Sequence, residues 1–183
     1  NKITLHFVID KNHRVKINSI NFSGNNNIKK SKLKKVMKKT RETGIRYLFS
    51  SSKIIEKDYT EDLTAIVQFY HSKGFRDIEI VNKDYQVLDN QNVDLNIEIN
   101  EGKQYFFGDI SWLGNKKYDS EKLTEILGIQ KGDIFDSALL DERLNMSRNG
   151  DDISALYMDD GYLFFQINPV EIAINSNNHI DLE

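Results

Sequence analysis

The residues able to do chemistry in this 183-residue chain are few and dispersed. Its four histidines are His6, His13, His71 and His179. No two of them stand at i and i+4, where successive turns of a helix would aim both at one metal ion, and no carboxylate joins them at ligand spacing. There is no cysteine, which excludes a disulfide framework, a thiolate metal site and a cysteine nucleophile. No glycine-rich phosphate loop and no nucleophile motif occur. Carboxylates gather at Asp58, Glu61 and Asp62 and again at Asp151-Asp152, but on helix faces such groups are ordinarily solvated. The reading is therefore a protein with no catalytic, cofactor-binding or metal residues, and its work is sought in surfaces.

The most conspicuous surface feature is basic. Lys29, Lys30, Lys32, Lys34, Lys35, Lys38, Lys39, Arg41 and Arg46 have only Glu42 as acidic relief. Such a run can meet anionic lipid headgroups, an acidic partner or nucleic acid. Leu33, Val36 and Met37 run through it at helical spacing, so the lysines read first as the wet side of an amphipathic helix. Nucleic acid is the least favoured partner, because no aromatic residues interleave with the lysines and the net charge is −3. Beyond it, residues 41–53 carry a local apolar cluster, Ile45, Tyr47, Leu48 and Phe49. It reads as a cap on the adjoining core, or else as a knob offered to a partner.

The elements that must position these residues come from a repeat. Val15, Ile17, Ile20, Phe22, Gly24 and Asn25 recur as Tyr105, Phe107, Ile110, Trp112, Gly114 and Asn115, a shift of 90 residues. Ile3, Leu5, Phe7 and Ile9 recur as Val93, Leu95, Ile97 and Ile99 with the same shift. Lys73-Gly74-Phe75 answers Asp160-Gly161-Tyr162, and Val93-Asp94-Leu95 answers Ile180-Asp181-Leu182, both shifted by 87. A period this long is a small domain. Apolar residues are 39 %, charged residues 29 % and aromatics 10 % of the chain, a globular balance. No apolar run is long enough to span a bilayer as a helix, and no signal peptide opens the sequence. Asn1 and the strand-like sequence at both ends read as an excised piece.

Within each copy the pattern reads β-α-α-β-β. The first strand alternates through Val15 and Ile17 and then changes parity to Ile20 and Phe22. The second copy slips between Phe107 and Ile110, which predicts a bulge in both. Ser31 is the expected N-cap of the first helix, and Asp119 or Ser120 that of its counterpart, which Gly128 stops. A second helix over residues 55–73 carries Tyr59, Leu63, Ile66, Val67 and Tyr70 on one face, with Gly74 as its C′ residue. In the second copy, two extra residues predict a kink or break near Asn149-Gly150. The next strands are expected at 77–81 and 163–174, the latter bulged at Pro169, the sole proline. Gly24, Gly74, Gly102, Gly114 and Gly161 are read as structural turn residues.

This unit resembles a POTRA domain. The Gly-Asn turn after strand 1, the Lys-Gly-Phe or Asp-Gly-Tyr step before strand 2 and the Ile-Asn-Glu-Gly end of strand 3 carry the likeness. So do Glu101-Gly102 running into Tyr105-Phe106-Phe107 and the stretch from Gly128 to Phe135. The string is similar to that of BamA-type outer-membrane protein assembly factors, and the insertion at 41–53 resembles versions from the Bacteroidetes group. The resemblance implies an α+β fold of tandem POTRA domains. Each would be β-α-α-β-β, with a three-stranded mixed sheet covered on one face by two helices. The expected organisation is the last strand of a preceding domain at 1–10, a domain at 13–102 with the insertion, and a domain at 103–183 whose final strand is cut short.

The function implied is that of periplasmic scaffold modules. They would capture unfolded outer-membrane proteins, dock accessory assembly lipoproteins and sit ahead of a C-terminal β-barrel of the same chain that tethers them to the outer membrane. Peripheral contact with the membrane surface fits the basic run, and no nucleic acid and no cofactor is implied. Alternatives are the POTRA domains of two-partner secretion, import-type or cell-division proteins and, from another class, a nucleic-acid-binding α+β protein. Strand 2, on the sheet edge, is the expected docking site by β-augmentation. Its candidate residues are Asp77, Ile78, Glu79, Ile80 and Val81, with Phe164, Phe165, Gln166, Ile167 and Val170. Tyr47, Leu48 and Phe49 form a second candidate, an interaction loop for a neighbouring module or a lipoprotein.

Overall fold

The structure, a computed structural model, describes residues 15–43, 54–88, 92–147 and 149–183. The expected strand at Ile3, Leu5, Phe7 and Ile9, and the loop residues Ile45, Tyr47, Leu48 and Phe49, lie outside the described residues.

Two three-stranded sheets carry the chain. The first is built from β1 (Ile17–Ser23), β2 (Glu79–Val87) and β3 (Val93–Asn100) in the order β1-β3-β2. The second is built from β4 (Phe106–Ile110), β5 (Glu171–Ile174) and β6 (His179–Leu182) in the order β4-β6-β5. In both, the last strand is central, parallel to the first and antiparallel to the second. A parallel pair needs a long crossover, and the helices supply it: α1 (Lys30–Val36) and α2 (Glu56–His71), then α3 (Ser120–Leu127), α4 (Ser137–Asp141) and α5 (Ile153–Asp159).

Strict alternation in β3 buries Val93, Leu95, Ile97 and Ile99 against Leu33, Met37, Leu63, Ile66 and Tyr70 of the helical layer. The second core joins Phe107, Ile180 and Leu182 to Leu123, Leu127, Leu140, Leu144, Ile153 and Tyr157. The parity changes are bulges, since the register shifts between Ile17 and Ser19 in one sheet and between Phe107 and Ile110 in the other. Thr43 donates its backbone N–H and its hydroxyl to the Ile17 carbonyl, at 2.8 and 2.7 Å.

Three expectations need correction. Ser31 does not cap α1; it lies inside the first turn, and Lys29 at the N-cap has no side-chain bond. The chain entering α1 is instead held from a distance by Glu101, which accepts from the Asn27 and Ile28 amides. Gly74 is not the residue next after the C-cap, which is Ser72; it stands one further on, with φ +84°. The second strands are also displaced. β2 starts at Glu79 and runs to Val87, while β5 starts only at Glu171, so residues 165–170 are irregular rather than strand.

Asp119 caps α3 by accepting from the Lys122 amide, and Gly128 ends it in the left-handed region. The break expected near Asn149-Gly150 is present. A π-helical turn over Glu142–Met146 follows α4, and α5 begins anew at Ile153. The wide turn absorbs the extra residues and keeps Leu144 in the core.

Candidate functional site

The outer edges of the sheets are treated unequally. On the β1 side, Thr43 occupies the carbonyl at the bulge and Glu42 accepts from the Ile20 amide at 2.7 Å. On the β4 side, residues 132–135 pair along the strand, with Phe107 N–H on Asp133 O and Phe135 N–H on Tyr105 O. Among the described residues, no strand pairs with the outer edge of β2 or of β5.

β2 is nine residues long, and all but Ile80 are exposed. Its register sets Tyr85 opposite Leu95 and Val87 opposite Val93, on the face whose β3 residues form the core. The helical layer does not reach them: Tyr85 is 66 % and Val87 63 % exposed. A strand added along β2 would lie beside an apolar ledge as well as a row of unpaired backbone groups. The expected strand ends at Val81, where polar Asn82, Lys83 and Asp84 follow; Tyr85 and Val87, in phase with Val81, are the signal that it continues.

The ten edge candidates do not share one location. Glu79, Ile80 and Val81 lie in β2. Asp77 and Ile78 precede it; Ile78 is buried in the first core, and Asp77 accepts from the Tyr105 hydroxyl at 2.7 Å. Phe164 is fully exposed ahead of β5, whereas Phe165 stacks on Tyr157 with centroids 4.0 Å apart. Gln166 and Ile167 line a groove of about 780 Å³ in the second module, together with Trp112 and Tyr157. The backbone of Val170 is already paired, its N–H on Glu183 O and its C=O on Glu183 N.

The short joint between the modules is held by contacts between residues distant in the chain. Tyr105 donates its N–H to Gly74 O at 2.8 Å. A Cβ at Gly74 would lie 2.6 Å from Tyr105 O, so the close approach needs glycine. Gln104 Nε2 donates to Lys73 O. Arg76, at the turn before β2, donates Nη1 to both Glu171 oxygens at 2.9 Å. Its guanidinium lies 5.5 Å from the Tyr105 ring centroid and 5.7 Å from that of Phe135. One cation thus ties the first module to the edge strand, first strand and loop of the second.

Glu101, at the start of the same joint, is buried among donors. It accepts from the Asn27 amide at 2.9 Å, the Ile28 amide at 3.2 Å and the Tyr70 hydroxyl at 2.8 Å. Burial and that bond hold the Tyr70 phenol well above its ordinary range. Burial alone, for the most part, pushes Tyr59 up to about 12. Asp94 is held low by the Ser19 and Asn18 side chains, which bind β1 to β3 on the outer face.

Two carboxylates read as solvated are not. Asp62 is buried and receives the backbone N–H groups of Lys38, Lys39 and Thr40. Asp152, shifted from it by 90, is buried and caps α5 while accepting from the Ser147 amide. Both carboxylates are taken up by backbone. Among the described residues, no group of three His, Cys, Asp or Glu could hold a metal ion, and no helix is long and apolar enough to cross a membrane. The glycines at 24, 74, 102, 114 and 161 all have positive φ.

Two copies of one small α+β unit, each with a covered and an uncovered sheet edge on a short locked joint, define a tandem module of the POTRA type. The sequence profile of that family, described as a surface antigen variable number repeat, matches residues 15–102 and 105–183. The chain belongs to the POTRA family, whose profile it matches twice in succession. It is 26 % identical over 139 residues to the outer membrane protein assembly factor BamA of Neisseria meningitidis serogroup B, covering 74 % of this chain and 17 % of the relative. BamA of Buchnera aphidicola is 25 % identical over 146 residues, covering 79 % and 24 %. The crystal structure of Haemophilus influenzae BamA POTRA3-5 superposes with a TM-score of 0.63 at 21 % identity, covering 97 % of this chain and 67 % of that one. The chain thus spans about a fifth of the length of the curated relatives it matches.

Proposed function

We propose that these modules are periplasmic scaffolds of an outer-membrane β-barrel assembly machine, capturing unfolded barrel proteins and docking accessory lipoproteins near a β-barrel of the same protein. The family and the BamA relatives support the setting. The observation that carries the mode of capture is β2, with nine residues, an unpaired outer edge and an apolar ledge at Tyr85 and Val87. Backbone pairing is indifferent to client sequence, and the ledge rewards an apolar residue at alternate positions, which is the pattern of an outer-membrane strand. Consistent with this reading, the module boundaries are proposed at 13–102 and 103–183, with residues 1–10 closing a preceding module.

The test is site-specific crosslinking in the full-length protein from Val81, Tyr85 and Val87 to unfolded barrel substrate during assembly. Crosslinks should be strong there and weak from Asp109 on β4, and Tyr85→Lys with Val87→Lys should reduce them. Assembly that proceeds with no adduct at β2 would leave a spacer role as the better account.

A further inference from the structure

The helical face of the first module holds a second surface, independent of the strand edge. Between α1 and α2 lies a groove of about 770 Å³ whose lining includes Val36, Ala65 and Phe69 as an apolar floor. Lys32, Lys35, Lys38 and Lys73 stand around it. The acidic residues in the lining are already committed, Glu61 to Lys39, which also lines the groove, and the buried Asp62 to backbone amides. Among the described residues, Lys34 and Lys39 are taken up in ion pairs, and Lys32, Lys35 and Lys38 are not. Lys32 and Lys35 repel each other one turn apart on α1, and Lys38 stands just past its end.

The second module is the control for whether the fold needs this. The repeat places Lys122, Glu125, Gly128 and Asp160 where the first module has Lys32, Lys35, Lys38 and Lys73. There α3 forms with a Lys122–Glu125 ion pair at 3.0 Å, and Gly128 ends it. Over 29–41 the first module has eight basic residues and no acidic one; over 119–131 the second has three acidic and two basic. The same helix packs on the same sheet without the charge.

We propose that the α1–α2 groove of the first module binds an acidic amphipathic protein segment, its carboxylates on the lysine rim and an apolar side chain on the Val36, Ala65 and Phe69 floor. The apolar residues between the lysines argue for a side chain rather than a membrane, because a headgroup layer would engage the lysines and leave Val36, Ala65 and Phe69 unused. The Phe69 ring already lies under the Lys73 ammonium at 5.7 Å, and no exposed aromatic in the groove is free to stack on a base.

The test titrates this chain by NMR with a synthetic helical peptide of glutamates flanking paired leucines, its glutamine counterpart, and phosphatidylglycerol vesicles. The acidic peptide should shift the amides of Val36, Ala65 and Phe69 saturably, and more weakly as salt screens the rim. The variant Lys32→Glu/Lys35→Glu/Lys38→Glu, altered at exposed positions only, should lose about tenfold or more in affinity. Ala65→Gln should weaken binding through the floor while leaving the charge intact. The idea is overturned if the acidic peptide does not saturate, if charge reversal leaves its affinity unchanged, or if the shifts fall on β2. Vesicle binding without peptide binding would make the face a membrane contact and overturn it equally.

Discussion

Replacing Glu101 with alanine should unfold the first module at a much lower temperature while barely touching the second. The carboxylate serves the Asn27 and Ile28 amides, the Asn27 side chain and the Tyr70 hydroxyl, all within 3.2 Å, and Glu101 is 4 % exposed. A hydrogen bond to a charged group contributes about 1.5–3 kcal/mol, and a buried donor left alone costs about 1–3 kcal/mol. The Asn27 side chain can turn to water, so two amides and one hydroxyl bear the loss, together about 3–5 kcal/mol. Glu101→Gln must turn an NH₂ toward some of these donors and should cost less, roughly 2 kcal/mol. Tyr70→Phe removes a single bond and should cost about 1 kcal/mol. At some 4–8 °C per kcal/mol for a domain of this size, Glu101→Ala lowers the first transition by more than about 12 °C. The assay separates the modules: hydrogen exchange at Asn27 and Ile28 reports the first, and fluorescence of Trp112, the only tryptophan, reports the second. An alanine variant within about 1 kcal/mol of wild type, or amides that exchange no faster, would refute the reasoning.

Arg76→Ala should cost only about 1 kcal/mol in stability, because both partners of the Glu171 pair are partly exposed. It should nonetheless broaden the distribution of inter-module angles seen by small-angle scattering, and the swap Arg76→Glu/Glu171→Arg should restore it in part. Tyr59 has a buried hydroxyl with no partner among the described residues, so Tyr59→Phe should be neutral or stabilising by up to about 1 kcal/mol in chemical denaturation. Its pKa is raised in the folded state to about 12, so its contribution is intact below the ordinary pKa near 10 and is lost as pH climbs through the folded value. Alkaline denaturation should therefore show a smaller pH slope above 10 in the phenylalanine variant.

The elements legible in the sequence are those whose signal is periodic or local. Alternation at Val93, Leu95, Ile97 and Ile99 gives the central strand, matched parity changes give two bulges, and the residue count between Leu144 and Ile153 gives the break that separates α5 from the π-helical turn. What escaped depends on distant partners. Glu101 looks like a linker residue until the fold brings Asn27, Ile28 and Tyr70 around it. Asp62 looks like one acid among three on a helix until residues 38–40 turn their amides to it. Arg76 has no local signature, because Glu171 is far along the chain. The end of β2 is hidden for a different reason: an edge strand buries little, so polar Asn82, Lys83 and Asp84 carry no penalty and interrupt the apolar alternation.

Read as two copies, the modules also rank their own docking edges. Each covers the edge beside its first strand with the same stretch of the repeat, Glu42 and Thr43 in one and residues 132–135 in the other, positions 42 and 43 answering 132 and 133 at the shift of 90. Each leaves the edge beside its second strand open among the described residues. Both modules therefore leave the same side of the sheet open, as one repeated unit would. The two open edges are not equal, however. β2 offers nine residues, whereas β5 offers four, begins next to Pro169 and Val170, and has Glu171 held by Arg76. Among the described residues, a client strand adding to β2 has no paired strand to displace, while addition at the start of β5 competes with the clamp that fixes the joint. If strand addition is the mode of capture, adducts from Val81 and Tyr85 should therefore exceed those from Ile172 in the intact pair, and Arg76→Ala should narrow the gap by releasing β5. Equal labelling of both edges with Arg76 in place would show that the joint has no part in the choice.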